Sequence, residues 1–430
     1  MKTTIQIVSL LLSLFLIGCT NGINKTTDSK DYDKYLKVNK NERLQLLQLD
    51  INFWQSKIDK TPDQFPYYAK IASSLSSLFQ QTGIIDHLVA AESNLLIANE
   101  KTNFSKASYL RGLARNYISQ HKFQEALKIL LKAERLGEQL SSTQKMLIDV
   151  YLELGNKDRV EEYLTKIKNF NDFDYLIRAS KYNDHLGNLD VAIQYLEKSL
   201  EIAKTSKNVA LLEWNYTNLA DYYGHAGKIK ASYQAYLKTL ELNPNNAYAK
   251  KGIAWITYSY ERNPEEAMRI LTTIIQENSS PDYYLLKSEI ADFMQNEEEK
   301  NSNLQKYLSL INNEACGAMY NGYKAIIYAE YKTTIEEAIK IAKEEVKERP
   351  TPQSYDLLAW AYYKNGNHKE ALKIARQHVV GKTFEPTALF HTAHIMKANN
   401  LQEEALIFKK DLIGSAFELG PIESEKVNLL

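Results

Sequence analysis

Apolar residues recur along this chain at the spacing of one helix face. Leu44, Leu47, Ile51, Trp54 and Ile58 keep the i, i+3, i+4 rhythm of a helix with about 3.6 residues per turn. Patterns of the same kind follow one another as far as Ile413. No run of alternating apolar and polar residues bounded by turn signals interrupts them, so the pattern predicts helices and no sheet. No linker rich in Pro, Gly or Ser divides 45–413, which read as one array. Ahead of it, Thr20 to Asp33 holds almost no apolar residue, the composition of a solvated tether. After Ile413 the chain reads Gly-Ser-Ala-Phe-Glu-Leu-Gly-Pro, an irregular end with a short helix expected from Pro421.

The helical pattern is itself periodic. Tyr355, Leu358, Ala359, Tyr362, Gly366 and Ala371 form a frame in which Ala359 recurs as Ala393 and Ala371 as Ala405. The same frame fits Leu110, Leu113, Ala114, Tyr117, Ala126 and Ala133, then Leu147, Tyr151, Gly155 and Val160, then Tyr216, Leu219, Ala220, Tyr223, Gly227 and Tyr236. These residues resemble the tetratricopeptide repeat, in which small residues at positions 8 and 20 let the two helices of a pair approach closely. The resemblance implies an all-α fold: an α-solenoid, a right-handed superhelix of about nine helix-turn-helix repeats over 44–413, with 414–430 as a C-terminal cap. One pair cannot bury its own apolar face, and stacking buries it. Two units space their small residues one residue wider, Ala254 to Ala267 and Ala325 to Ala338, which predicts an insertion in each inter-helix turn, at Asn263-Pro264 in the first. The wide interval from Ala192 to Ser232 predicts longer helices there.

The N-terminus carries a second resemblance. Lys2 precedes a short apolar run, Ile7 to Phe15, that ends in Leu16-Ile17-Gly18-Cys19. A charged start, a short apolar stretch and a small residue before the cut read as a secretory signal, and the run is too short for a span of about 20 apolar residues. Leu16 to Cys19 resembles a bacterial lipobox. That resemblance implies a lipoprotein signal peptide over 1–18, acylation of Cys19, and a lipidated flexible tether over 19–43 holding the folded part off a membrane. It places the chain in a bacterial cell envelope, on the outer side of the inner membrane or, as the favoured expectation, on the outer membrane, and more than one acyl chain makes such anchoring stable.

Charge and candidate chemistry narrow the function. The 53 basic and 53 acidic residues cancel, so no net field draws the chain to nucleic acid. Cys19 and Cys316 are the two cysteines, and with Cys19 acylated no internal disulfide can form. Cys316 has no sequence-adjacent His to activate it and reads as a small buried hydrophobe. Gly381-Lys382-Thr383 ends like a phosphate loop, but the glycine that loop needs five residues earlier is Arg376. His391 and His394 could share a helix face but have no third ligand nearby. Acidic runs such as Glu297-Glu298-Glu299 read as solvated faces. No catalytic constellation, cofactor or metal site is expected, and the chain is not read as an enzyme.

Aromatic residues carry the remaining signal. The repeat resemblance places first-helix positions 2, 5, 9, 12 and 13 on the concave face. Trp214 and Tyr248 then fall at position 2, Trp255 and Trp360 at position 9, Tyr258 and Tyr363 at position 12. Trp and Tyr dominate recognition hot spots because they bury large, rigid area and keep a polar tip. The expected function is a membrane-anchored scaffold that binds a protein or peptide segment of the envelope through this aromatic groove. The alternative is a carbohydrate-binding outer-membrane lipoprotein whose rings stack on sugars, resembling the starch-binding lipoproteins that carry such repeats. Those interrupt the array with long irregular insertions, and this chain has none of that size.

Overall fold

The computed structural model describes residues 25–37 and 41–430. The expected signal and the acyl acceptor Cys19 lie outside the described residues. Every regular element among the described residues is helical. A leading helix, Glu42–Lys60, is followed by ten consecutive helix pairs, from Phe65–Thr82 with Ile85–Lys101 to Pro386–Ala398 with Gln402–Gly414, against the expected nine or so.

The repeat frame explains the pairing. Ala114, Ala220, Ala254, Ala359 and Ala393 on first helices, and Ala126, Ala192, Ala267, Ala338, Ala371 and Ala405 on second helices, are all fully buried where the two backbones come closest. Serines take the same place in two pairs, each with its hydroxyl donating across the gap: Ser180 Oγ to Ala192 O at 2.7 Å and Ser288 Oγ to Lys300 O at 2.9 Å. Leucines of the frame such as Leu110, Leu113, Leu147 and Leu176 are sealed between pairs, each burial worth about 1.5–3 kcal/mol. Second helices start on asparagine caps, where Asn156, Asn263 and Asn296 accept from the amides of Arg159, Glu266 and Glu299. The helices Leu189–Ser206 and Val209–His225 are long, as the wide Ala192 to Ser232 interval requires.

The two inserted residues are absorbed differently. In the Ala325 unit the extra residue lies in the turn between Asn321–Ala329 and Ile335–Glu348, as expected. In the Ala254 unit it does not lie at Asn263-Pro264. It widens the end of the first helix into a π-helical stretch, Ile256–Tyr260, where Glu261 N donates to Ile256 O at 3.1 Å. The widened turn rotates every residue beyond Trp255 relative to the α-helical register.

The coil closes on itself. Ser279 N and Ser279 Oγ donate to Thr82 O at 2.9 and 3.1 Å, and Asn278 Nδ2 donates to Gln81 O at 2.9 Å, across 197 residues. Gly155 meets Thr351, and Gly187 meets Phe384, at the same offset to within one residue. The offset is the length of five and a half helix pairs, so the turn within one pair meets the start of a later pair and the second turn of the coil sits directly on the first. Gly83 lies in this seam, with φ +69° and its Cα facing Ser280 so closely that a Cβ would fall 2.6 Å from the Ser280 amide nitrogen. Only glycine satisfies both conditions.

Two terminal expectations need correction. Residues 25–37 are no free tether: Ser29–Leu36 is a helix docked against the second helices of the fifth and sixth pairs, Ile229–Leu242 and Pro264–Ile274. Glu261 accepts from the Thr26 and Thr27 amides at 2.6 Å and from Thr27 Oγ1 at 2.9 Å, Tyr32 donates to Glu266 at 2.6 Å, and Arg269 pairs with Asp33 at 2.6 Å. Tyr32 and Leu36 complete the dock by entering the core. The C-terminal segment likewise does more than cap the last pair. Ala416–Asn428 is helical on both sides of a kink at Gly420, φ +76°, and it turns back into the concave side of the coil.

Candidate functional site

First helices face the axis of the coil, and closure of the seam bounds their concave surface into a lumen that stays open to water. Its main chamber, about 470 Å³, is lined by side chains of four successive first helices. Asp221, His225, Tyr248, Lys251, Trp255, Asp282, Glu289 and Tyr323 contribute, together with Glu385 and the returning Phe417 and Glu418. A second chamber of about 350 Å³ shares Tyr323, Glu385 and Thr387 with it and continues to Glu345 and Asp356. Tyr248 and Tyr323 are 47 % and 54 % exposed although the coil surrounds them, which marks the lumen as open to water.

The C-terminal segment forms one wall. Trp255 Nε1 and Ser259 Oγ both donate to Phe417 O, at 3.1 and 2.7 Å, and the Phe417 ring lies over Gly224. This delivers carboxylates to carboxylates. Burial, followed by the charges of Glu385 and Asp184, pushes the Glu418 carboxyl up to about 7. Burial, followed by the charge of Glu423, pushes Glu289 up to about 8, with the Tyr258 hydroxyl acting against it. Asp221 is also raised by burial, opposed by hydrogen bonds from Tyr236 and from Tyr248, the latter at 3.0 Å.

These shifts set a pH dependence. A carboxyl whose pKa is higher folded than unfolded stabilises the fold while protonated, and that contribution is lost as pH rises through the folded value. Histidines act oppositely at lower pH: burial holds His394 down to about 4 and lowers His225, so both add stability as pH rises, and that gain is complete above about 6.5. Between about pH 6.5 and 8 the two glutamates therefore dominate, Glu418 until about pH 7 and Glu289 until about pH 8, each worth at most about 1.4 kcal/mol per pH unit. The melting temperature is expected to fall across this range and to flatten in a Glu289→Gln, Glu418→Gln double variant. A wild-type melting temperature that rises there would contradict the assignment.

The structure divides the six expected groove residues. Tyr248 and Trp255 line the main chamber. Trp214 is exposed at its own site, edge-on to Phe173 at 5.8 Å, outside the chamber lining. Tyr258 is fully buried, turned inward by the π-helical stretch, and meets Trp255 edge-on at 5.7 Å. Trp360 is 7 % exposed, because the His391 ring of the next pair stacks on it at 3.9 Å. Tyr363 is half-buried against Trp360 at 4.9 Å. The i, i+3 ring pairs exist, but the π-helical stretch spends Tyr258 on packing, and stacking with the next pair spends Trp360 and most of Tyr363.

The histidine pair also turns inward. His391 Nδ1 bonds Asp356 Oδ2 at 2.8 Å, and His394 sits beside Phe390 at 4.5 Å. Among the described residues no three His, Cys, Asp or Glu side chains come together to hold a metal ion. Cys316 is buried and its thiol is raised by burial.

The lumen carboxylates did not stand out in the sequence. Their register was available: Ala220 at position 8 puts Asp221 at position 9, and Ser288 in the same place puts Glu289 at position 9, alongside Trp255 and Trp360.

A tetratricopeptide repeat family model matches residues 173–206 and 215–246. No curated protein matches the chain. Among similar solved structures, YrrB, described as a TPR protein with an unusual peptide-binding site, is 20 % identical, covering 46 % of this chain and 95 % of its own, with TM-score 0.28. A tetratricopeptide repeat protein from Parabacteroides merdae is 18 % identical over 60 % of this chain and 96 % of its own, TM-score 0.34. The human IFIT1 dimer with PPP-AAAA is 16 % identical over 73 % and 71 %, TM-score 0.45. Residues 173–206 and 215–246 are tetratricopeptide repeats, and the chain built around them is an all-α solenoid of stacked helix pairs.

Proposed function

We propose that this protein is a lipid-anchored scaffold of a bacterial cell envelope, most simply of the outer membrane, that holds a protein or peptide segment inside its coil. The observation that carries the reading is the water-accessible lumen, where first-helix side chains including Tyr248 and Trp255 converge on a space large enough for several side chains of a partner. The sugar-stacking reading has less support, since the Trp360 face is taken by His391 and Trp255 is hydrogen-bonded to the chain's own Phe417.

The lipobox resemblance at Cys19 and the docking of residues 25–37 together give the anchor a short reach. Lys25 follows Cys19 by six residues, which span at most about 20 Å. The outer surface of the fifth and sixth pairs then faces the bilayer, and the folded part rides close to the membrane. Cys19→Ser is expected to shift the protein from the membrane pellet to the soluble fraction. A Ser variant that still pellets would place the anchor elsewhere. The scaffold reading itself is tested by crosslinking the full chain in intact cells, then solubilising in detergent and purifying: a stoichiometric protein partner supports it, and repeated purification of the chain alone contradicts it.

A further inference from the structure

We infer that the lumen binds an amine: a primary ammonium group, carried on lysine side chains of the bound segment or on a free polyamine, seated between the aromatic walls and carboxylates of the two chambers. The inference deepens the scaffold reading and rests on it for the route by which a partner segment enters the coil.

Charge is the first ground. The main chamber presents Asp221, Asp282, Glu289, Glu385 and Glu418 against one lysine, Lys251, in a chain whose formal charge is zero. The acidity is therefore local to the lumen, and low-dielectric walls focus such a field on the space inside. The returning C-terminal segment brings Glu418 beside Glu385, and both Glu423 and Lys426 toward Glu289; with Glu418 raised to about 7 and Glu289 to about 8, these carboxyls are crowded enough to hold protons near neutral pH and give them up when an opposite charge joins them.

Unfilled hydrogen-bonding capacity is the second and independent ground. Asp356, only 5 % exposed, lines the second chamber and gives Oδ2 to His391, while its buried Oδ1 has no donor. Glu289 lines the main chamber, and its buried Oε1 and the Tyr258 hydroxyl that acts on this carboxyl both lack a well-formed hydrogen bond. A buried carboxylate oxygen with no donor is costly, and an ammonium group supplies three donors and the opposite charge at once. The basic groups bordering these sites do not fill the gap. Arg349 is 3.4 Å from Glu153, Lys426 pairs with Glu423 at 3.5 Å, and burial lowers His121.

The walls fit the same ligand. Tyr248, Trp255 and Tyr323 offer aromatic faces to the chamber that holds Asp282, Glu289 and Glu385, and ammonium groups are attracted to such faces as well as to carboxylates. A metal ion fits less well, because no three of the described acidic or imidazole side chains converge on one point. Carboxylates spread along two connected chambers match several ammonium groups on one flexible chain.

The test is calorimetric titration of the full chain in detergent micelles with hexalysine, spermidine and, as the opposite charge, hexaglutamate. Binding of hexalysine alone supports a lysine-bearing segment, and binding of spermidine alone supports a free polyamine. Glu289→Gln and Glu385→Gln are each expected to weaken the bound probe about tenfold or more while keeping the helical circular dichroism of wild type, and added salt should weaken it further. No binding of either amine, tighter binding of hexaglutamate, or amine binding unchanged in both variants would overturn the inference. A captured protein partner indifferent to hexalysine and to both variants would also overturn it while the scaffold reading stands. Amine binding with no capturable partner would instead count against the scaffold reading alone.

Discussion

Trp360→Ala is expected to cost about 3–5 kcal/mol of folding stability, the range for truncating a buried aromatic, and to do so without a specific loss of ligand binding. The ring is stacked on His391 at 3.9 Å and on Tyr363 at 4.9 Å, lies 6.4 Å from Phe390, and forms part of the core of the last pairs. Its removal opens a cavity in which His391, tied to Asp356 at 2.8 Å, loses the surface that holds it. Chemical denaturation checks the magnitude. A variant with wild-type stability but abolished partner capture would return Trp360 to the recognition surface.

Gly83→Ala is the second large effect, and Gly137→Ala is its control. Both glycines have φ near +70°, so both substitutions carry the left-handed backbone penalty of about 1–2 kcal/mol. They differ in what the new methyl meets. At Gly137 nothing lies within 4 Å, whereas at Gly83 the methyl would fall 2.6 Å from Ser280 N and 2.7 Å from Ser280 Cα. Backbone cannot rotate away as a side chain can, so Gly83→Ala adds an overpacking cost of about 1–3 kcal/mol. Equal melting shifts for the two variants would mean that the seam is not closed around Gly83.

The repeats were legible because their signal is local. Ala359, Ala371 and their equivalents must be small for two neighbouring helices to touch, and that demand shows at a fixed interval. The winding of the coil was not legible, because it accumulates from a small rotation at each pair and no single residue encodes it. This is why Trp360 stands at position 9 and is nonetheless buried: a ring at position 9 faces the axis, and in a coil this tight the axis side of one pair is already filled by His391 of the next. Tyr258 failed for a local reason, since an inserted residue can widen a helix as readily as lengthen a turn. The docking of 25–37 escaped notice because it is made largely by polar groups, Glu261 and Glu266 accepting from Thr26, Thr27 and Tyr32, in a segment whose composition matches a free tether.

Closure of the coil makes a lumen out of a groove, and the carboxylates, the buried rings and the amine inference all depend on it. A Thr82→Cys, Ser279→Cys pair tests it directly, because the Ser279 amide and hydroxyl both reach Thr82 O, which places the two residues within the separation of about 7 Å that a disulfide requires. In a Cys19→Ser, Cys316→Ala background, mild oxidation should convert the pair almost fully to an intramolecular disulfide, seen as a reducible mobility shift and loss of both thiols. Two thiols that stay free under the same oxidant, in a chain whose circular dichroism shows intact helices, would mean that the turns of the solenoid stand apart and the lumen does not exist.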